Sequence, residues 1–287
     1  MRSLTLRARR LLRPALALAL ALAALPAVLF TAAPPARAED NGAAPTPLMG
    51  WSSWSYLRSN PTEQNIEAQA KAMSDSGLVS HGYRNINIDD FWYLDPRSTV
   101  DAYGRWATDP ARFPNGMGSV GSYVHSLGEK FGMYLTPGIP VAAYNQNTPI
   151  EGTPFHARDN GSSTSSYETN YNFCSGWVGT IFYRGPMYYI DYAKNPAAAH
   201  AFLNSLAKQL ASYGIDYLKI DGVGDGDIAD VQHWSQALRQ TGRPIALELS
   251  NALDVNNGST WRSNANGWRI ERSRTPATLI TALHPSR

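Results

Sequence analysis

The 287-residue chain has one cysteine, Cys174. An internal disulfide and a cysteine-based metal site are therefore both excluded. It has one long hydrophobic run, Ala15 to Phe30, too short for a membrane span. It also lacks a glycine-rich phosphate turn: the first strand signal runs into Gly50-Trp51-Ser52, not a dinucleotide fingerprint. Nor does it have a real basic excess. Residues 1–38 carry six of the 25 Lys and Arg and none of the 23 Asp and Glu, so without them the net charge is −4. The basic balance belongs to that leader and gives no reason to expect nucleic acid as a partner.

The leader reads as a secretory signal peptide. Arg2, Arg7, Arg9, Arg10 and Arg13 precede the apolar run, and Ala36-Arg37-Ala38 supplies an A-x-A site, with cleavage expected before Glu39. Arg9-Arg10 raises a twin-arginine route on a weak motif. The expected product is an extracellular protein, with no membrane attachment after cleavage. Eight Trp and 15 Tyr are many for this length and fit either a large core or a site that stacks sugar rings.

Tyr217-Leu218-Lys219-Ile220-Asp221 is the stretch around which the rest of the chain is organised. An apolar run ends abruptly in Gly222-Val223-Gly224, a strand followed by a glycine-rich turn. Alternation along a strand puts Lys219 and Asp221 on one face and Leu218 and Ile220 on the other. A cation beside a carboxylate favours its ionised form, which suits a nucleophile or an acceptor for sugar hydroxyls better than a proton donor. A surface ion pair capping a strand is the equally weighted plain reading on spacing alone.

The same pattern recurs. Leu48-Met49-Gly50-Trp51 is a short strand, and a helix runs from Asn60-Pro61-Thr62-Glu63 to Gly77. Tyr83 to Ile88 alternates apolar and polar residues and delivers Asp89-Asp90. Val120–Leu127 reads as helix, Lys130–Leu135 as strand, Pro196–Tyr213 and Ile228–Leu238 as helices, and Pro244–Ser250 as a strand carrying Glu248. A sixth short strand falls at Gly267-Trp268-Arg269, and residues 138–192 form a polar excursion of the length of a lip or lid. Strands separated by helices, with polar groups at their C-terminal ends, predict an α/β fold of the (β/α)8 TIM-barrel type. About six strands fit. The expected organisation is a signal peptide over 1–38, an incomplete catalytic barrel over 39–269, and an atypical tail over 270–287, truncated or out of frame.

Met49-Gly50-Trp51-Ser52-Ser53-Trp54, Asn87-Ile88-Asp89-Asp90-Phe91-Trp92, Tyr217–Asp221 and Gly267-Trp268-Arg269 together resemble glycoside hydrolase family 27. That family holds α-galactosidases (melibiases), α-N-acetylgalactosaminidases and isomaltodextranases. The resemblance runs from about Pro47 to Arg269. It implies a retaining double displacement on an oligo- or polysaccharide, without metal or cofactor. It implies Asp221 as nucleophile and Lys219 as a sugar contact, with Asp89 and Asp90 binding sugar hydroxyls. Trp54 would be an aromatic wall and Tyr134 a site tyrosine, with Glu248 and Arg269 as further substrate contacts. Vicinal carboxylates such as Asp89-Asp90 could instead hold a divalent metal, a minor reading without a histidine cluster.

Three departures stand out. The general acid/base aspartate expected four residues after Arg269 is Ser273, which cannot donate a proton at useful pH; Glu271 is near in sequence only. The cysteines usual after the Asp-Asp pair and after the nucleophile are Phe91 and Val223. The expected function is thus a secreted retaining α-glycosidase, most readily an α-galactosidase, in a chain lacking its acid/base. The alternatives are an isomaltodextranase-like α-glucan hydrolase and a non-hydrolytic carbohydrate-binding protein on the same scaffold.

Overall fold

The computed structural model of the chain describes residues 39–168, 186–250 and 253–270, with the side chains of 162–168, Pro186 and Asp225 left aside. The leader, Cys174, Glu271 and Ser273 lie outside the described residues, as does the tail beyond Ile270.

Six strands form one parallel sheet: β1 (Gly50–Ser52), β2 (Asn85–Ile88), β3 (Lys130–Leu135), β7 (Tyr217–Ile220), β8 (Ala246–Leu249) and β9 (Gly267–Trp268), side by side in that order. Helices make the crossovers: α1 (Glu63–Asp75), α2 (Met117–Ser126), α5 (Pro196–Ser212), α6 (Ile228–Gln240) and α7 (Gly258–Asn264). Parallel neighbours need such crossovers because no tight turn can reverse the chain twice. The sheet curls into a half-barrel, the six-stranded part of the expected (β/α)8 architecture.

Local chemistry sets the element ends. The Thr62 hydroxyl accepts from Asn65 N–H while the Asn65 carboxamide accepts from Thr62 N–H, starting α1 with a reciprocal cap. Asn195 caps α5 through Ala198 N–H, with Pro196 in the first turn, where its missing N–H costs nothing.

The two faces of the sheet differ in kind. Ile86, Ile88, Phe131, Met133, Leu135, Leu218, Ile220, Leu247 and Leu249 are buried in the main core with Ile66, Ala70, Val120, Val124, Phe202, Leu206, Leu210, Val231, Trp234 and Trp261 from the helices. The alternate residues, Ser52, Asn87, Tyr134, Tyr217, Lys219 and Glu248, face the concave side. Gly132 makes room there: a Cβ on it would lie 2.3 Å from Tyr217 Cδ1.

The excursion after β3 has its own small antiparallel sheet, in which β6 (Pro186–Ile190) lies between β4 (Ile139–Pro140) and β5 (Gly161–Glu168). Two short helices, α3 (Val141–Gln146) and α4 (Ala157–Asn160), accompany it. The sequence signals an interruption here but not its strands. Just after β6, the Tyr192 hydroxyl donates to Asp230 Oδ1 at 2.8 Å, and the Tyr192 ring stacks on His233 with centroids 4.1 Å apart. His200 meets His233 edge-on. Tyr192 thereby ties the end of the excursion to α6, which His200 in turn joins to α5.

Burial, together with the nearby Asp227, pushes the Asp230 carboxyl up to about 7, against the donated Tyr192 hydrogen bond. In the unfolded chain it ionises near its ordinary 3.8, so stability falls as pH rises from there to about 7 and is level above. His233, held low by burial and by His200, works the other way and costs stability as pH falls below 6.5. The urea midpoint should therefore drop between pH 5 and pH 7.5, and Asp230→Asn, which can still accept from Tyr192, should flatten that drop. An unchanged slope in the variant would remove Asp230 as its source.

Candidate active site

The register of the sheet stacks the polar side chains in layers. Tyr134 pairs with Lys219, Lys219 with Glu248 and Glu248 with Gly267; Asp89 follows Ile88, whose partner Met133 precedes Tyr134. Asp89, Tyr134, Lys219 and Glu248 thus share one level. Asp221 and Arg269 follow the last residues of β7 and β9 and stand one step nearer the C-terminal rim, where (β/α)8 barrels carry their chemistry.

Lys219 joins these levels. Its Nζ lies 2.9 Å from Asp89 Oδ2 and 3.5 Å from Asp221 Oδ2, and 5.3 Å from the centre of the Tyr134 ring. The Asp89 side chain is 2% exposed, and those of Lys219 and Asp221 are 17% and 16% exposed. Burial alone would pull the ammonium towards its neutral form. The carboxylates of Asp89 and Asp221 outweigh it, and the lysine ends above its ordinary value although Arg269 opposes them.

Asp89 is further fixed by Asn87 Nδ2 at 3.4 Å and Ser52 Oγ at 3.5 Å, and its N–H donates to Ser53 Oγ at 2.8 Å. The Tyr93 hydroxyl and the Phe91 N–H both donate to Asp90 Oδ1. The Tyr134 hydroxyl is buried and has no hydrogen-bond partner among the described residues. Its pKa is far above the ordinary value, first through burial and then through the charges of Asp90, Asp221 and Asp89. It keeps its proton.

Trp54 sits in the turn Ser53–Ser55 after β1 and lines a cleft of about 310 Å3 with Ser52, Asn87, Asp89, Tyr217, Lys219 and Glu248. Glu248 lies inside β8 rather than beyond it and accepts from the Tyr217 hydroxyl at 3.2 Å. It also borders a second cleft of about 470 Å3, between β9 and residues 44–48. The structure thus brings Trp54, Asp89, Tyr134, Lys219 and Glu248 to one concave face, with Asp221 and Arg269 at its rim and Asp90 buried next to Asp89.

Ser52, Asn87 and Tyr217 are site residues that the sequence does not single out. Their signal is the polar half of each alternating strand, which on its own speaks only of periodicity. Asp89, half of a metal-binding alternative on sequence, spends its carboxylate on Lys219, and no group of three or more His, Cys, Asp or Glu is placed to hold a metal among the described residues.

Comparison with known proteins points the same way. The family described as Melibiase_2, Alpha galactosidase A, matches residues 46–148. A probable alpha-galactosidase of Dictyostelium discoideum is 33% identical over 235 residues, covering 80% of this chain and 46% of that protein. Human Alpha-galactosidase A is 31% identical over 226 residues, covering 74% and 40%. The crystal structure of a GH27 β-L-arabinopyranosidase from Geobacillus stearothermophilus superposes with a TM-score of 0.71 at 29% identity, over 82% of this chain and 55% of that one. This chain belongs to glycoside hydrolase family 27. It spans less than half the length of the curated relatives it matches.

This concave face carries a buried carboxylate, Asp89, whose close cation is Lys219. Lys219→Met should leave Asp89 without its ion pair and cost about 3–5 kcal/mol, as breaking a buried pair does. Urea denaturation at pH 7 measures this. A loss under about 1 kcal/mol, the worth of a surface pair, would show that Asp89 does not rely on Lys219.

Proposed function

We propose that this chain is the catalytic barrel of a secreted retaining α-glycosidase acting on terminal α-D-galactosides, with Asp221 as nucleophile. The observation that carries the reading is the Lys219 ammonium lying between Asp89 and Asp221, in a cleft that Trp54 walls. The Asp221 carboxylate is presented just past the C-terminal end of its strand, within reach of the Lys219 ammonium. In the first step one of its oxygens bonds to the anomeric carbon as the bond to the departing oxygen breaks with its electron pair. Asp89, Asp90 and Lys219 hold ring hydroxyls on the far side, and the Tyr134 phenol donates into the same space. Water then cleaves the glycosyl ester with retention.

Retaining enzymes place a second carboxyl group about 5 Å from the nucleophile to protonate the leaving group and then activate water. In this chain the matching position is Ser273. Natural galactosides, whose leaving groups need that proton, should therefore turn over very slowly. An aryl α-galactoside with a phenolate-quality leaving group should still glycosylate Asp221, and the slow second step should let the hexosyl-protein accumulate. Intact-protein mass spectrometry on the full chain should detect that adduct, and Asp221→Ala should abolish it. An adduct that persists in the variant would assign the nucleophile elsewhere. The aryl β-L-arabinopyranoside is the informative second substrate, since that sugar differs from α-D-galactose only in lacking the exocyclic hydroxymethyl group.

Export is part of the same reading. The leader composition supports it, and so does the packing of Glu39, the first residue after the expected cut: its carboxylate meets Arg239 at 3.0 Å and Ser235 Oγ at 2.6 Å. A protein recovered from the medium should begin at Glu39 by N-terminal sequencing. A start at another residue, or retention in the cell, would overturn it.

A further inference from the structure

Among the described residues, three non-glycine residues have positive φ: Arg58 (54°), Phe91 (76°) and Asn147 (51°). Two of these three touch Trp54. The Phe91 ring lies parallel to it, with centroids 6.3 Å apart and planes 1° from coincidence. The Arg58 guanidinium carbon lies 5.6 Å from the centre of the Trp54 ring. Left-handed backbone is unfavourable for a side chain with a Cβ, and such residues persist only where their surroundings over-determine them. Here the surroundings are visible. Phe91 is 3% exposed, and its N–H donates to Asp90 Oδ1 at 2.8 Å, so the turn that strains it is closed by the carboxylate before it.

We propose that Phe91, with Arg58 as a second support, is the positioning residue that fixes Trp54 against the sugar site. The inference rests on the reading of Trp54 as the aromatic wall. The ring separation and parallel planes are those of an offset stack, and the guanidinium is within cation–π range. Trp54 stands in the three-residue turn Ser53–Ser55. Phe91 comes directly after the Asp89-Asp90 pair, so one turn of chain sets both the hydroxyl-binding carboxylates and the backing of the wall. It stands where the family usually has a cysteine, and here its ring joins the turn after β2 to the turn after β1.

The test uses the full chain labelled with 5-fluorotryptophan. The 19F line of Trp54 is identified by its loss in Trp54→Phe. Phe91→Leu keeps the apolar volume and removes the ring. It should shift and broaden the Trp54 line while those of the buried Trp234 and Trp261 stay in place. Calorimetry with galactose supplies the second arm. Phe91→Leu should weaken binding by about two- to tenfold, the worth of an aromatic pair. It should weaken binding no further in a Trp54→Ala background, whereas a merely structural role would give the same loss in both. An unmoved Trp54 line, or additive losses, would overturn the positioning role. If Trp54→Ala itself leaves galactose binding unchanged, the wall assignment fails, and the fluorine arm still decides whether Phe91 holds the indole.

Discussion

The Lys219 ammonium, shared between Asp89 and Asp221, is the contact on which the concave face depends. A carboxylate as enclosed as Asp89 is unfavourable unless a cation and hydrogen-bond donors stand in for water. Lys219 supplies the charge, while Asn87 and Ser52 supply further contacts. The same ammonium reaches Asp221 one level up. Two carboxylates from strands separated by β3 are thereby held at one site with less mutual repulsion. Removing the lysine would leave both facing each other across a poorly solvated space.

That polar face is compatible with a stable domain because the fold divides its labour by strand periodicity. Every second residue of β2, β3, β7 and β8 enters the helix-backed core, which leaves the opposite set free to be polar. The half-barrel has two edges, and exposed parallel edges are a hazard in isolation. Among the described residues these edges are short, three residues in β1 and two in β9. The segment beside β9 carries Pro45 and Pro47, which have no N–H to offer a pairing strand. Short edges and proline are both recognised ways of blunting a sheet.

Much of this was legible in the sequence because it is local. The six strands of the main sheet, their order and the polarity of their C-terminal ends follow from alternation and from turn residues, and the structure keeps each of them. The face on which Lys219 and Asp221 lie follows from a period of two. What was not legible depends on register and on distant pairing. Tyr217 reaches Glu248, 31 positions away, only because Gly132 leaves space on the neighbouring strand. Tyr192 reaches Asp230 only because α5 folds back along α6. The sheet of the excursion was missed because the Ser- and Thr-rich β5 carries almost no hydrophobic contrast, the signal on which strand reading rests, and β4 is only two residues long.

Phe91 shows how a departure from the family pattern becomes intelligible in three dimensions. In the sequence, phenylalanine in place of the family's usual cysteine reads only as a departure from the pattern. In the structure it fills the space beside Trp54 with a ring held in a conformation that phenylalanine rarely adopts. A disulfide restrains mainly by limiting the unfolded chain, whereas a buried stack acts only in the folded one. The stack therefore leaves the wall dependent on the packing around it. In a chain with one cysteine, dispersion and ring geometry must therefore do locally what a covalent bond would do elsewhere, and the strain at residue 91 is the visible sign that they do.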